Sequence, residues 1–244
     1  AQKTMVKITG DDSVAFGHFG TLGYVFSAWI GSLVGKGSKS TEEIKFPKRL
    51  SFLRDTSVAI SLTMFVFFLV VTIKAVYTEG FDAAMVNNQQ FVIFSIIQSL
   101  TFAGGVYIVL AGVRLVLAEI VPAFKGISEK IVPDAKPALD CPVVFPYAEN
   151  AVLIGFLVSF VGGLVGLGIL SLLNGAGITL ALILPGVIPH FFCGATAGVF
   201  GNATGGRRGA IIGAFGHGLL ITFLPAFLMP VLGSLGFANT TFSD

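Results

Sequence analysis

Charged residues are scarce in this sequence of 244 residues. They make up 11% of it, whereas soluble globular domains carry about 25%. Hydrophobic residues account for 54%, and the mean hydropathy is +0.89. A soluble protein of this length would need a polar surface that so few charged residues cannot form. The composition excludes a soluble domain and predicts an integral membrane protein, and a net charge of +2 does not indicate a nucleic-acid partner.

Cysteine is also rare, and the sequence lacks any metal-binding or disulfide pattern. The two cysteines, Cys141 and Cys193, stand far apart in apolar surroundings. Their spacing is not that of a metal site or of a disulfide framework. We interpret both as free thiols and expect neither a metal nor a cofactor.

Both ends of the sequence lack the usual features of a terminus. The first residues, AQKTMVKITGDDSVAFGH, do not begin with methionine and show no signal-peptide pattern. The last residues, GSLGFANTTFSD, directly follow an apolar tract and carry no basic anchor. We expect the sequence to be part of a longer protein.

Long apolar stretches, glycine and phenylalanine are abundant instead. Glycine allows membrane helices to approach closely, and phenylalanine is stable in lipid. About 20 apolar residues suffice for one crossing. The stretch from Asn150 to Gly206 holds no charged residue and is long enough for two crossings, with NGAG at 174–177 as the expected break. We predict about five spans: 57–73, 91–113, 151–173, 178–206 and 209 onward.

Basic residues predict how these spans are oriented. The connection 35–56 is rich in lysine and arginine, as are 114–136 and the pair Arg207–Arg208, whereas 74–90 holds only Lys74. Basic loops remain in the cytoplasm. All three basic connections fall on the cytoplasmic side if the spans alternate in direction, and Arg207–Arg208 then anchor the inner end of a span.

The segment between the second and third spans has a different pattern. In residues 114–136 apolar and charged residues alternate near a helical period. This favours either an amphipathic helix at the membrane surface or a cytoplasmic loop helix. The stretch that follows, PALDCPVVFPYAEN at 137–150, is apolar but too short and too rich in proline for a crossing. It is typical of a re-entrant segment, which requires protein or a water-filled cavity around its exposed backbone.

Asp140 lies within this predicted re-entrant segment. A carboxylate inside a bilayer costs roughly 2.5–3.5 kcal/mol on insertion scales. Such a residue usually faces a cavity, an ion or a polar substrate, and broken helices are where transporters build substrate sites. The alternative is that Asp140 caps a short helix at the water interface.

Two histidines are further candidates. His18 stands among small and aromatic residues in the apolar stretch 11–35, and the residues alone favour neither core packing nor a functional contact for it. His190 lies in PGVIPHFFCGATAGVFGNATGGRRGA at 185–210, where a packing role is favoured over a possible substrate contact. The glycines and arginines of this stretch do not have P-loop spacing, and its NAT sequon at 202–204 falls near the cytoplasm.

Three stretches together resemble a known family. They are FGHFGTLGYVFSAWIGSLVGKGSKSTEEIKFPKRLSFLRD, GVRLVLAEIVPAFKGISEKIVPDAKPALDCPVVFPYAENAV and LPGVIPHFFCGATAGVFGNATGGRRGA. In order and spacing they resemble the membrane-spanning IIC component of the ascorbate-type phosphotransferase system. Family members are about twice this length and consist of two inverted repeats. The chain resembles most of the second half, without the first repeat and the last crossing.

The resemblance implies a fold and an organisation. It implies an all-α integral membrane protein, a polytopic inverted-repeat transporter with re-entrant hairpins, of which this chain holds about five spans and one re-entrant segment. A core domain is expected to move against a dimerising domain in a homodimer. The expected segments are 1–56, a substrate-facing apolar segment and basic loop; 57–113, two spans; 114–149, the amphipathic helix and re-entrant hairpin; and 150–244, the core spans.

The resemblance also implies a function. The expected substrate is L-ascorbate or a related sugar acid, carried across the bacterial inner membrane and phosphorylated by a IIB partner that a IIA protein supplies. The chain would then be a permease subunit and not itself an enzyme. His18 occupies the place of a substrate-binding histidine, and Asp140 that of the family's hairpin aspartate. Phe19 departs from the family, which often has glutamine there.

The residues also leave other classes open. An ion- or proton-coupled secondary transporter of a small organic anion would use the same broken helices, with Asp140 as the coupling carboxylate. A membrane scaffold without transport is the third class.

Overall fold

The computed structural model describes residues 1–44, 56–79, 85–86 and 89–236, and its regular structure is almost entirely helical. The long helices are α3 (Thr56–Glu79), α4 (Phe91–Lys130), α5 (Glu149–Gly175) and α7 (Ala195–Ser234). The shorter ones are α1 (Gln2–Thr9), α2 (Thr21–Val34) and α6 (Val187–Pro189), with 3-10 helices at Thr41–Glu43 and Cys141–Tyr147 and a π-helical turn at His190–Gly194. Two-residue strands lie at Ala15–Phe16 (β1), Met85–Val86 (β2), Gln89–Gln90 (β3) and Ala138–Leu139 (β4).

Four of the described helical segments are long and apolar enough to cross a membrane: Ile60–Thr78, Phe91–Lys130, Glu149–Gly175 and Val187–Val231. The protein is therefore an all-α polytopic membrane protein, as its composition predicts. The chain divides into two compact units. We call Ala1–Ile44 with Val116–Asp244 the large unit, and Lys45–Leu115 the small unit.

A helical hairpin organises the large unit. Helix α7 is interrupted at Gly205 and Gly206, where Gly206 has φ 55° and ψ −148°, a conformation that is unfavourable for residues other than glycine. A Cβ atom on Gly201 would collide with the backbone of Gly209. Residues 187–204 and 207–234 therefore form two antiparallel arms.

This hairpin agrees with one predicted boundary and corrects another. The last two spans are separated by the turn at Gly205–Gly206, next to the arginine pair where a boundary was expected. Residues 178–186, however, are not helical, so the predicted span 178–206 is a stretch without regular structure followed by a helix that begins at Val187. Pro185 and Pro189 explain this start, because proline lacks a backbone donor and disfavours helical geometry in the residue before it. The expected break at 174–177 is confirmed: α5 ends at Gly175.

Glycines allow α2 and α5 to pack closely on the hairpin. A Cβ atom on Gly31 of α2 would lie 2.7 Å from the carbonyl oxygen of Gly201. One on Gly155 of α5 would lie 2.7 Å from the Cα atom of Gly198. Such contacts leave no room for a side chain, which is how small residues bring membrane helices together.

The hairpin turn and the start of α5 lie at one end of the large unit. The Arg207 backbone N–H donates to the carbonyl of Lys39 (2.8 Å), and Arg207 Nε donates to that of Ser40 (3.1 Å). Glu42 accepts from the backbone N–H of Ala151 (3.0 Å) at the start of α5. The described part of the basic connection, 35–44, and the arginine pair thus share one end, which agrees with the expected topology. The basic residues from Lys45 to Arg54 lie outside the described residues, and sidedness stays a prediction.

Helix α4 differs from the expected division into a span and a separate amphipathic helix. The segment is helical without interruption from Phe91 to Lys130, including Pro122. A charged residue such as Arg114 does not end a helix, and membrane helices tolerate an internal proline. Forty residues extend for about 60 Å at 1.5 Å per residue, twice the hydrocarbon thickness of about 30 Å. Part of α4 therefore lies outside the hydrocarbon.

The small unit contains α3, β2, β3 and the first part of α4. Helix α3 extends six residues beyond its predicted end at 73. The hydroxyls of Thr72 and Ser95 are 3.1 Å apart and connect α3 to α4. The small unit spans Lys45–Leu115, and the functional division at 57–113 stays a prediction.

Candidate functional site

Two short strands that are distant in sequence bring the two main candidate residues together. Strands β1 and β4 pair in parallel, and the backbone N–H groups of Ala15 and Gly17 donate to the carbonyls of Pro137 and Leu139, both at 2.9 Å. His18 follows β1 and Asp140 follows β4. Because parallel strands end at the same edge, both side chains are delivered to one place.

The two segments that carry His18 and Asp140 each enter the large unit at one end and return to that same end. Asp11, before β1, lies close enough to Tyr147, before α5, for its charge to act on the phenol. After His18, α2 leads back to the hairpin turn, and after Asp140 the 3-10 helix leads back to the start of α5. This path is the one expected of the re-entrant segment predicted at 137–150, and residues 11–35 follow a similar path.

A cavity of about 500 Å³ lies where these tips meet the start of the first hairpin arm. Among the residues that line the cavity, His18 and Asp140 have the polar and charged side chains. The other lining residues are apolar, small or thiols: Gly17, Phe19, Ala138, Cys141, Pro142, Ile188, Pro189, Phe192 and Cys193. The π-helical turn forms part of this wall, and π-helical turns occur frequently at functional sites.

The hydrogen bonds of His18 fix its tautomer. Its Nδ1 accepts the backbone N–H of Gly20 (3.0 Å) and lies 2.9 Å from the Tyr24 hydroxyl. A backbone amide can only donate, so Nδ1 is the unprotonated nitrogen. The remaining proton of the neutral imidazole is then on Nε2, which lies 3.7 Å from Asp140 Oδ1. His18 presents a hydrogen-bond donor to the cavity.

Asp140 is a helix cap and a cavity residue at the same time. Its Oδ1 accepts the backbone N–H of Cys141 (2.6 Å) at the start of the 3-10 helix. Its side chain is nevertheless 70% exposed, against 12% for His18. Its position is compatible with both alternatives from the sequence, its role toward a substrate stays a prediction, and no described residue donates to Oδ2.

Tyr24 connects the two tips, which the sequence did not indicate. Its hydroxyl lies 2.9 Å from His18 Nδ1 and 3.2 Å from Cys141 Sγ. Its ring is buried between those of His18 and His217, with both centroids at 5.6 Å. The sequence offered one signal for this role of Tyr24. The residue carries a hydroxyl and lies in the first turn of an apolar helix that begins shortly after His18.

His190 does not join His18 and Asp140. It is buried against α5, where its Nδ1 lies 2.9 Å from the Ser159 hydroxyl and its ring meets Phe160 edge-on at 5.5 Å. The residues that line the cavity include its neighbour Pro189 but not His190. The position supports the packing role that the sequence favoured.

Three possible metal ligands also meet in this cavity. One atom each of His18, Asp140 and Cys141 lies within 4.8 Å of the others. Zinc would need an unprotonated His nitrogen at about 2.0–2.1 Å. Since Nδ1 is held by a backbone donor and Nε2 carries the proton, the arrangement suits a hydrogen-bonded ligand better than a metal ion.

Comparison with known proteins agrees with this architecture. The sequence matches the EIIC-GAT family, described as "PTS system sugar-specific permease component", over residues 1–244. It is 30% identical over 230 residues to the "Ascorbate-specific PTS system EIIC component" of Mycoplasma pneumoniae (strain ATCC 29342 / M129 / Subtype 1). That match covers 84% of this chain and 34% of the relative, so the chain spans about a third of the relative's length. A match over every residue shows that this chain belongs to the EIIC-GAT family of PTS sugar-specific permease components.

Proposed function

We propose that the chain forms the substrate-carrying part of a permease that imports L-ascorbate, or a related sugar acid, through a phosphoenolpyruvate-dependent phosphotransferase system. The family membership and the name of the Mycoplasma relative support this substrate. In this proposal the permease is a homodimer in the bacterial inner membrane. A IIA protein passes the phosphoryl group to IIB, and IIB phosphorylates the arriving substrate.

The observation that carries the proposal is the meeting of His18 and Asp140 in one cavity at the tips of two re-entrant segments. The two residues offer complementary chemistry. His18 Nε2 donates a hydrogen bond, and Oδ2 of Asp140, to which no described residue donates, accepts one. A molecule with hydroxyls and one anionic oxygen can use both.

The charges decide the orientation of such a substrate. Ascorbate is an anion at neutral pH, and the Asp140 carboxylate repels its charged edge. The anionic oxygen therefore faces the Nε2–H of His18 and the start of α2, whose helix dipole favours negative charge within the first turn. The uncharged hydroxyls then donate to Asp140. This assignment uses Asp140 as an acceptor for hydroxyls and needs no proton transfer.

A transport measurement on the full-length parent tests the proposal. Cells without their own ascorbate uptake are given the parent gene and, separately, the parent with IIA and IIB genes. Uptake of labelled L-ascorbate that requires all three and accumulates a phosphorylated product is the expected result. Uptake that ignores phosphoenolpyruvate and collapses with an uncoupler would instead identify an ion-coupled secondary transporter.

A binding measurement with His18→Ala connects the function to this cavity. Purified full-length parent is expected to bind ascorbate, and the variant to bind it at least about tenfold more weakly, because a hydrogen bond to a charged group contributes roughly 1.5–3 kcal/mol. Ser159→Ala is the matched control, since Ser159 bonds the buried His190 outside the cavity. Equal affinity in wild type and His18→Ala would place the substrate elsewhere.

A further inference from the structure

Phe19 is unusual among the aromatic residues around the site. Its side chain is 74% exposed, whereas Tyr24, whose ring also lies against that of His18, is fully buried. The Phe19 ring lies 4.5 Å from the His18 ring at an angle of 31°. Phe19 therefore contributes little to the packed interior and presents a free face.

The position of Phe19 distinguishes it from an ordinary lipid-facing residue. Exposed apolar side chains are common on α3 and α4, as expected of a membrane protein. Phe19, however, lines the same cavity as His18 and Asp140. An exposed aromatic face beside convergent polar groups is typical of a small-molecule site, where apolar walls surround a few polar groups that fix orientation.

The proportion of apolar to polar residues in the cavity wall restricts the kind of ligand that can bind. A ligand with hydroxyls on all sides would leave most of them against apolar walls, and each unpaired polar group costs free energy. The walls instead suit a ligand that is polar along one edge and flat and apolar across its face. His18 and Asp140 meet the edge, and Phe19 is positioned to meet the face.

We propose that Phe19 is a specificity-determining residue, whose ring stacks on the planar conjugated ring of the substrate while His18 and Asp140 bind its polar edge. The chemical class selected is an enediol lactone, with a flat five-membered ring. Saturated sugar lactones and open-chain sugar acids are discriminated against, because a puckered ring or a flexible chain touches an aromatic face through fewer atoms. This inference rests on the proposed function, and it names the planar ring as the feature of the substrate that the site recognises.

Two variants of Phe19 separate stacking from bulk. Phe19→Leu keeps an apolar side chain but removes the aromatic face, and Phe19→Tyr keeps that face. Neither disturbs buried packing, because the side chain is exposed. Trp29→Leu is the control, since Trp29 is also an exposed aromatic and does not line the cavity.

The experiment measures binding to the purified full-length parent. Labelled L-ascorbate is displaced by unlabelled L-ascorbate and D-isoascorbate, which are planar, and by L-gulono-1,4-lactone and L-gulonate, which are saturated. We expect Phe19→Leu to weaken binding of both planar ligands by about 5- to 10-fold, the scale of an aromatic stacking contact. Binding of both saturated ligands should stay within about twofold of wild type, as should all four ligands in Phe19→Tyr and Trp29→Leu.

The possible outcomes distinguish this inference from the proposed function. If wild type binds ascorbate and Phe19→Leu binds it equally well, stacking is wrong and the proposed substrate stands. If Phe19→Leu weakens planar and saturated ligands alike, Phe19 contributes bulk and does not select for a flat ring. If wild type binds a saturated acid but not ascorbate, both the proposed substrate and the stacking are overturned. Unchanged melting temperatures of the variants exclude misfolding as the cause of any loss.

Discussion

Helices α5 and α4 are both strongly apolar, yet they are packed very differently. The most apolar window of α5 has a mean hydropathy of 2.4 and is 39% buried, whereas that of α4 has 2.0 and is 11% buried. Their glycines differ in the same way. A Cβ atom on Gly155 or Gly162 of α5 would collide with backbone, and one on Gly104 or Gly105 of α4 would meet nothing within 4 Å.

The contrast shows that similar composition serves two purposes in this chain. In the large unit, glycines bring α2, α5 and the hairpin arms together closely enough to hold two interrupted segments in place. In the small unit, apolar side chains of α3 and α4 remain exposed among the described residues. Those faces are available to lipid or to further protein, and the candidate site lies in the tightly packed unit.

Glycine substitutions give the most direct test of this contrast. Gly198→Val should destabilise the full-length parent by about 3 kcal/mol, the upper part of the usual range for overpacking, because its Cβ would lie 2.5 Å from Gly155 Cα and 2.6 Å from the Ala151 carbonyl. Gly105→Ala should be neutral or stabilising by up to about 1 kcal/mol through helix propensity. Thermal unfolding in detergent measures both. Similar melting temperatures for the two variants would contradict the packing difference.

Asp140→Asn should have the next largest effect, on affinity and not on stability. Asparagine is an equally good cap, so its oxygen keeps the Cys141 N–H and its amide group turns a donor toward hydroxyls that need an acceptor. We expect affinity for ascorbate to fall by roughly 1.5–3 kcal/mol, about 10- to 100-fold. Membrane abundance should be unchanged.

The matched control for Asp140 is Glu119→Gln, which neutralises an exposed acid on α4. It should bind ascorbate like wild type. If Asp140→Asn also binds normally, Asp140 serves as a cap alone.

Tyr24→Phe tests the connection between the two tips. The variant keeps the buried ring and removes the hydroxyl that meets His18 Nδ1 and Cys141 Sγ. One lost buried hydrogen bond costs about 1 kcal/mol, so affinity for ascorbate should fall by about fivefold. Tyr107→Phe, on an exposed position of α4, should change nothing. An effect on stability alone, with unchanged affinity, would limit Tyr24 to packing.

The smallest expected effect concerns the contact between Asp12 and Lys136, which precede strands β1 and β4. Asp12 accepts from Lys136 Nζ at 2.5 Å, and this hydrogen bond, followed by that from Gln2, lowers the pKa of Asp12 below its ordinary value of 3.8. Because the folded-state pKa is lowered, its contribution to stability is present above pH 3.8 and is lost as the pH falls through the folded value. Asp12→Asn should lower the melting temperature by no more than about 2 °C at pH 6. The difference from wild type should shrink as the pH falls below 3.8.

The sequence predicted most of the helices and the chain interruption around Asp140, whereas the residues alone did not indicate a role for His18. Uncharged apolar runs identified the spans, and NGAG identified the end of α5. Prolines on both sides of Asp140 predicted a chain interruption, since proline cannot continue a helix. These signals are local, and each can be recognised within a few residues.

The features that the sequence did not predict depend on backbone conformation or on distant contacts. Hydropathy shows that 178–186 is apolar, but it does not distinguish a stretch without regular structure from a helix. The charges after residue 113 suggested a boundary, although a helix can leave the membrane without ending. The pairing of β1 with β4 joins residues more than a hundred positions apart, and two-residue strands have no periodicity to detect.

That short pair of strands has a mechanical consequence. Two backbone hydrogen bonds lock the segment before His18 to the segment before Asp140, and Tyr24 and Cys141 connect the residues that follow. Any displacement that carries His18 across the bilayer must carry Asp140 by the same amount. A substrate bound between them would move together with both residues, and the distance between its two binding groups would stay constant. Release of that substrate would then require a change elsewhere in the cavity wall.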